Sequence, residues 1–161
     1  VESLPITTFM GRAIYVNIEG CEPNHKITGE DLERACGSRI KEGDIVIIDS
    51  PMKLPPFTAD SNTEKDKRLF ICRETAEWFR DKKVKCVGFG DGVSIESNNT
   101  DVCAFHDVLM EVNCVFLEVL KNLEELTTDT FFMSYSPLPI KGLDSCPIRA
   151  YAIEGLSEFS N

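Results

Sequence analysis

The sequence predicts an α/β fold, on three observations. β-rich runs alternate along the chain with stretches whose apolar residues recur at helical spacing. One run, Ile45-Val46-Ile47-Ile48, is apolar throughout a strand's length, the pattern of a strand covered on both faces. The 161 residues, 42% hydrophobic and 27% charged, suffice for one domain with its own core and argue against disorder.

Taken in order, Ala13-Ile14-Tyr15-Val16-Asn17-Ile18 is rich in β-formers and flanked by turn residues at Gly11 and Gly20 to Asn24, so it reads as the first strand. Thr28 then offers a helix N-cap, with Asp31 three residues on as a short version of the capping box. Leu32, Ala35 and Cys36 supply that helix's apolar face and Gly37 ends it. After the Ile45–Ile48 strand, residues 50 to 68 are rich in proline and polar residues and predict a long irregular loop.

Arg73 to Lys82 predicts a helix, and Val84 to Phe89 a strand. Gly88, Gly90 and Gly92 fall close together, but a dinucleotide fingerprint needs a further glycine and an immediate helix, so a backbone turn is the reading. Thr100-Asp101 suit the start of a helix carrying Val102, Phe105, Leu109 and Val112 at helical spacing. Cys114 to Leu117 predicts a short buried strand, Leu120 to Leu126 a helical turn or two, and Thr130 to Tyr135 and Ile148 to Ile153 the last strands.

A formal charge of -10 opposes a general electrostatic partnership with nucleic acid or an anionic membrane. No apolar run approaches the ~20 residues that span a bilayer. Seven dispersed cysteines without a CxxC pair predict free thiols rather than a zinc ribbon or redox motif, and with them a reducing, cytoplasmic setting.

Two residues carry the candidate chemistry. His106 lies at the edge of a helical apolar stripe, where a lone histidine is usually a hydrogen-bonded core residue. Glu118 follows Val115-Phe116-Leu117 directly, and an unpaired carboxylate there is too costly to bury, so it must face water, a cation or a donor. A helix histidine and a strand-end glutamate 12 residues later can converge, and imidazole plus carboxylate suits zinc, manganese or iron. Two ligands alone do not hold a catalytic metal. His25 reads as a solvated surface residue, the acidic runs at 60–66 and Glu124-Glu125 as solvated faces, and a Cys103 or Cys114 nucleophile beside His106 lacks an oxyanion hole.

An ordered set of segments spanning about residues 4 to 153 resembles one known family. It comprises Leu4-Pro5 with Phe9-Met10-Gly11, Ile27-Thr28 with Leu32, and Ile40-Lys41-Glu42-Gly43-Asp44-Ile45-Val46-Ile47. Glu74-Thr75-Ala76-Glu77-Trp78, Val84 to Gly88, Ser94-Ile95-Glu96 and His106-x-x-Leu109 follow. Leu117-Glu118-x-Leu120-x-Asn122-Leu123-x-x-Leu126, Pro137 to Ile140 and Pro147 to Ala150 complete it. These are similar to the putative cyclases, which include bacterial kynurenine formamidase and isatin hydrolase. The resemblance implies a swivelling β/β/α fold with a mixed central sheet and flanking helices, a homo-oligomer, and an arylformamidase-like hydrolase of small amides or lactams. It implies a divalent metal, zinc or manganese, for which His106 and Glu118 match the later pair of ligands.

The family's His-x-Gly-Thr-His-x-Asp-x-Pro-x-His motif would lie just upstream of Leu4 and is not in this sequence. The expectation is therefore a single cyclase-like domain over residues 1–161 without that segment, with an incomplete site. A family member that keeps the scaffold as a binding or assembly module is the alternative.

Overall fold

The computed structural model describes residues 3–96 and 99–157. Its elements are β1 (Met10–Asn17), α1 (Gly29–Leu32), β2 (Ile45–Asp49), β3 (Leu69–Phe70), α2 (Arg73–Asp81), β4 (Cys86–Phe89), β5 (Val93–Ser94), α3 (Asn99–Met110), β6 (Val115–Leu117), β7 (Thr130–Ser134) and β8 (Tyr151–Ile153).

A six-stranded mixed sheet runs β6-β4-β2-β1-β7-β8. Its four strands β6, β4, β2 and β1 are parallel, whereas β7 and β8 add antiparallel at the β1 side. Parallel neighbours need crossovers, and helices α2 and α3 lie between β2, β4 and β6 in sequence as that requires. A separate two-stranded parallel ribbon joins β3 to β5, and β5 has no sequence signal beyond two residues.

All five residues of β2 are buried, as its unbroken apolar run requires. The period of two divides them between two cores. Val46 and Ile48 join Ile14, Val16, Val87 and Phe89 beneath Ala76 and Phe79 of α2 and Phe105 and Leu109 of α3. Ile45 and Ile47 face the other way, with Ala13, Cys86, Leu117, Phe131 and Met133. Each fully buried Val, Ile, Leu, Phe or Met side chain among them contributes roughly 1.5–3 kcal/mol.

The capping box of α1 is complete. The Thr28 hydroxyl accepts from the Asp31 amide at 3.1 Å, and the Asp31 carboxylate accepts from the Thr28 amide at 2.9 Å. The chain then continues into a wider helical turn over Glu33–Gly37. Residues 50 to 68 form an irregular loop, as the composition predicts.

Several local expectations differ from the structure. Val112 lies beyond α3 in an exposed turn, and Val108 completes the buried stripe. Thr100 and Asp101 sit inside the first turn of α3, and the residue preceding that helix is outside the described residues. β6 is an edge strand in which only Leu117 is buried. Leu120 to Leu126 contains one tight turn, Leu123–Glu125, rather than a longer helix. β8 covers three exposed residues on the outer edge.

The acidic stretch at 60–66 is not uniformly solvated. Asp66 is buried and holds the fully buried Arg68 at 2.7 Å and 3.0 Å, and Glu96 accepts from the same guanidinium at 3.1 Å. A buried arginine requires such partners, because its desolvation is otherwise uncompensated. Glu96 also accepts from the Phe57 amide at 3.0 Å and 3.1 Å, which fixes the 50–68 loop to the segment after β5.

Candidate metal centre

The four parallel strands all end on one edge of the sheet, where α/β proteins bind ligands. Four pieces of chain leave that edge: Asn17, Asp49, Gly90 and Glu118. Glu118 directly follows β6, and the next residue, Val119, has φ +59. A β-branched residue in the left-handed region costs roughly 1–3 kcal/mol and persists where its surroundings impose it. Here the Leu120 amide donates to the Phe89 carbonyl at 2.9 Å, so the path out of β6 is held from β4.

His106 lies on α3 with its ring against Phe116 of β6, centroids 4.7 Å apart. Its Nδ1 is 2.8 Å from the Val102 carbonyl one turn earlier, to which it donates. That bond leaves Nε2 as the coordinating nitrogen of the neutral ring, the arrangement common among metal-ligating histidines. Nε2 lies 3.7 Å from Glu118 Oε1, with the two side chains 30% and 49% exposed. Glu118 is the main reason the His106 pKa lies above the ordinary imidazole value, against a smaller opposing effect of burial.

The two residues singled out in the sequence thus come together. Their donors fit a divalent metal in type, orientation and access: an imidazole nitrogen fixed by its other nitrogen, and a half-exposed carboxylate. Among the described residues no third histidine, cysteine or carboxylate joins them in a metal-sized group. Cys114 is buried, with burial pushing its thiol up to about 12, so it provides no thiolate nucleophile beside His106, and Cys103 is exposed.

A second constellation at this edge escapes the sequence reading. Asp49, at the end of β2, is fully buried. Its Oδ1 accepts from the amides of Ser50 and Gly92, both at 2.8 Å, and its Oδ2 faces the Lys53 ammonium and, at 3.4 Å, the Tyr15 hydroxyl. Burial first, and Asp49 second, push the Tyr15 phenol up to about 12. The available signal was the one that marked Glu118, a carboxylate directly after an apolar strand. Gly90 and Gly92 make room for it: a Cβ on Gly90 would lie 2.3 Å from the Asp49 carboxyl carbon, and one on Gly92 2.3 Å from the Ser50 carbonyl oxygen. The glycine cluster is a packed turn about a carboxylate.

The Lys121 ammonium closes the same edge, 2.6 Å and 2.8 Å from the Asp91 carboxylate. On the sheet face opposite the helices, a groove of about 390 Å³ lies between Ile47, Phe131 and Met133 and the 120–126 segment.

His25 is not a free surface residue. Its Nε2 lies 2.7 Å from Asp31 Oδ2, which places it in the capping network of α1. The four-residue spacing of Cys21 and His25 ahead of the cap was the overlooked sign.

The chain belongs to the Cyclase family, described as putative cyclase, whose model matches residues 1–97. That match ends before His106 and Glu118. A structure described as a potential metal-dependent hydrolase with cyclase activity is 21% identical and superposes with a TM-score of 0.70, over 94% of this chain and 69% of that one. A predicted metal-dependent hydrolase from Bacillus stearothermophilus is 21% identical with a TM-score of 0.68, over 92% of this chain and 65% of the other. An isatin hydrolase bound to the product analogue thioisatinate is 18% identical with a TM-score of 0.73, over 94% and 62%. Such identities establish the cyclase-like fold. The chain spans between 62% and 69% of the length of these three structures. No curated protein matches it.

Proposed function

We propose that this chain serves a metal-dependent hydrolase of amide or lactam C–N bonds, acting on a small arylformamide or an isatin-like lactam. The observation that supports this most is the approach of His106 Nε2 to Glu118 Oε1 in a chain of the cyclase family. His106 and Glu118 would hold one divalent ion, zinc or manganese, which when bound lowers the pKa of coordinated water toward ~7 and so supplies a nucleophile at neutral pH.

The chain's own residues prepare that position. Val102 orients the imidazole, Phe116 supports its ring, and the fixed exit of β6 keeps Glu118 at the strand end. In hydrolysis, water oxygen bonds to the carbonyl carbon, the C–N bond breaks, and the departing nitrogen takes a proton. None of the described residues is assigned that proton transfer. In this reading the 161 residues form one cyclase-like domain, cytoplasmic and homo-oligomeric, with the exposed β8 edge available for pairing.

The test is hydrolysis of isatin and of an N-formyl aniline by the protein as its gene encodes it, with and without chelator. Chelator-sensitive turnover, restored by zinc or manganese, is the expected result, and chelator-resistant turnover would refute the proposal. The two-donor count favours a second reading, a scaffold that binds without turnover. Stoichiometric zinc or manganese in the purified protein that is lost on His106→Ala would weigh against it.

A further inference from the structure

Outside the edge of the parallel sheet, Cys21, His25 and Asp31 bring three ligand-type side chains together where β1 leads to α1. One donor atom from each lies within 4.8 Å of the others. We infer that this cluster is a second, separate cation site of the zinc class, bound by the Cys21 sulfur, a His25 ring nitrogen and an Asp31 carboxylate oxygen, with water completing the shell. It does not rest on the hydrolase reading, because none of its residues lies on α3 or β6.

The donor set selects the ion. A thiolate and an imidazole beside one carboxylate suit zinc, and cobalt in its place, far better than magnesium or calcium, which want oxygen alone. Binding balances by release of one proton to solvent, from the Cys21 thiol, while the neutral imidazole binds through its unprotonated nitrogen and keeps its N–H on the other.

Asp31 is held ready for this role from the protein side. Its Oδ2 takes the Thr28 amide at 2.9 Å and the Thr28 hydroxyl at 2.7 Å, the outer-shell bonding that fixes a ligating carboxylate. Its Oδ1 faces Cys21 Sγ at 4.0 Å and the Arg34 guanidinium at 2.7 Å. Arg34 is the competitor for the ion, and with 59% of its side chain exposed it can give up that oxygen to the solvent at little cost. Cys21 and His25 are half-buried, so the cluster has an open side for entry.

An ion there would join the 20–25 turn, in which Asn24 holds φ +64, to the first turn of α1. The following residue is already tied to α3, through Lys26 and Asp101 at 2.7 Å. The site is thus a clip on the chain's path from β1 to the helices.

The test is cobalt(II) titration of the full chain under reducing conditions, in a His106→Ala, Glu118→Gln background that disables the other candidate centre. The expected result is one equivalent bound, with a near-ultraviolet sulfur-to-cobalt band and the visible absorption of four-coordinate cobalt. Cys21→Ser should abolish the band, and His25→Gln should weaken binding by more than the ~10–100-fold that loss of an outer-shell partner costs. Arg34→Gln should tighten it. Zinc should raise the Tm of the background protein and leave that of the Cys21→Ser variant unchanged, which separates loss of the site from loss of the fold. Absence of the band at saturating cobalt, or its survival in Cys21→Ser, would overturn the assignment.

Discussion

His106 Nε2 and Glu118 Oε1 stand 3.7 Å apart, joining the middle of α3 to the end of the edge strand β6. The pair contributes little to folding, because Glu118 is half-exposed and such ion pairs are worth ~0–1 kcal/mol. Glu118→Gln should therefore shift the urea midpoint only slightly while abolishing tight binding of zinc or manganese at this pair. A loss of several kcal/mol of stability would instead mark Glu118 as a structural residue.

Breaking the buried ion network should behave oppositely. Asp66→Ala leaves the fully buried Arg68 with Glu96 as its remaining carboxylate partner and should cost ~3–5 kcal/mol, read from denaturant unfolding. The same change should loosen the 50–68 loop, because the Arg68-bound Glu96 also holds the Phe57 amide. Faster proteolysis within that loop is the second readout.

Asp66 also sets a pH dependence. Burial alone would raise its pKa, but hydrogen bonds from Arg68 and from the Asn62 amide more than offset this and leave it below the ordinary value. A carboxyl depressed in the folded state contributes stability that is full above the unfolded pKa of ~4 and is lost as pH falls through the lower folded value. Stability should therefore decline below pH ~4, and Asp66→Asn should flatten that decline.

The start of α1 offers a smaller effect. Thr28→Ala removes the hydroxyl that accepts from the Asp31 amide and should cost ~0.5–2 kcal/mol. Thermal unfolding of the variant beside the parent measures it.

Gly92→Ala should be worse tolerated than an average substitution, costing more than ~1 kcal/mol, because its Cβ would meet the Ser50 backbone. The change also disturbs the amide that supports Asp49 Oδ1. Denaturant unfolding reads the cost, and an unchanged midpoint would contradict the packed-turn account of this glycine.

Much of the fold is legible in the sequence because its strongest signals are local. The unbroken Ile45–Ile48 run gave a doubly covered strand, and Thr28 with Asp31 gave a helix start, since both patterns act over a few residues. Glu118 was legible for a similar reason, as a charge at the end of an apolar run. The converse failures involve partners distant in the chain. Asp66 looked solvated because nothing nearby shows that Arg68 is buried with Glu96, 28 residues on. Asp49 carried the same strand-end mark as Glu118, but its ligands are the Gly92 amide and Lys53 and Tyr15 side chains, assembled only by the sheet. His25 failed at short range, where its pairing depends on the fold of the 20–25 turn.

The most direct test of the central claim is metal content measured together with isatin and arylformamide hydrolysis, for the protein as its gene encodes it and for its His106→Ala and Glu118→Gln variants. The account predicts turnover and zinc or manganese bound at the His106–Glu118 pair in the parent, with turnover and the pair's share of the metal lost in each variant while the Tm stays near the parent's. Unchanged metal content and turnover in folded His106→Ala and Glu118→Gln proteins would contradict it.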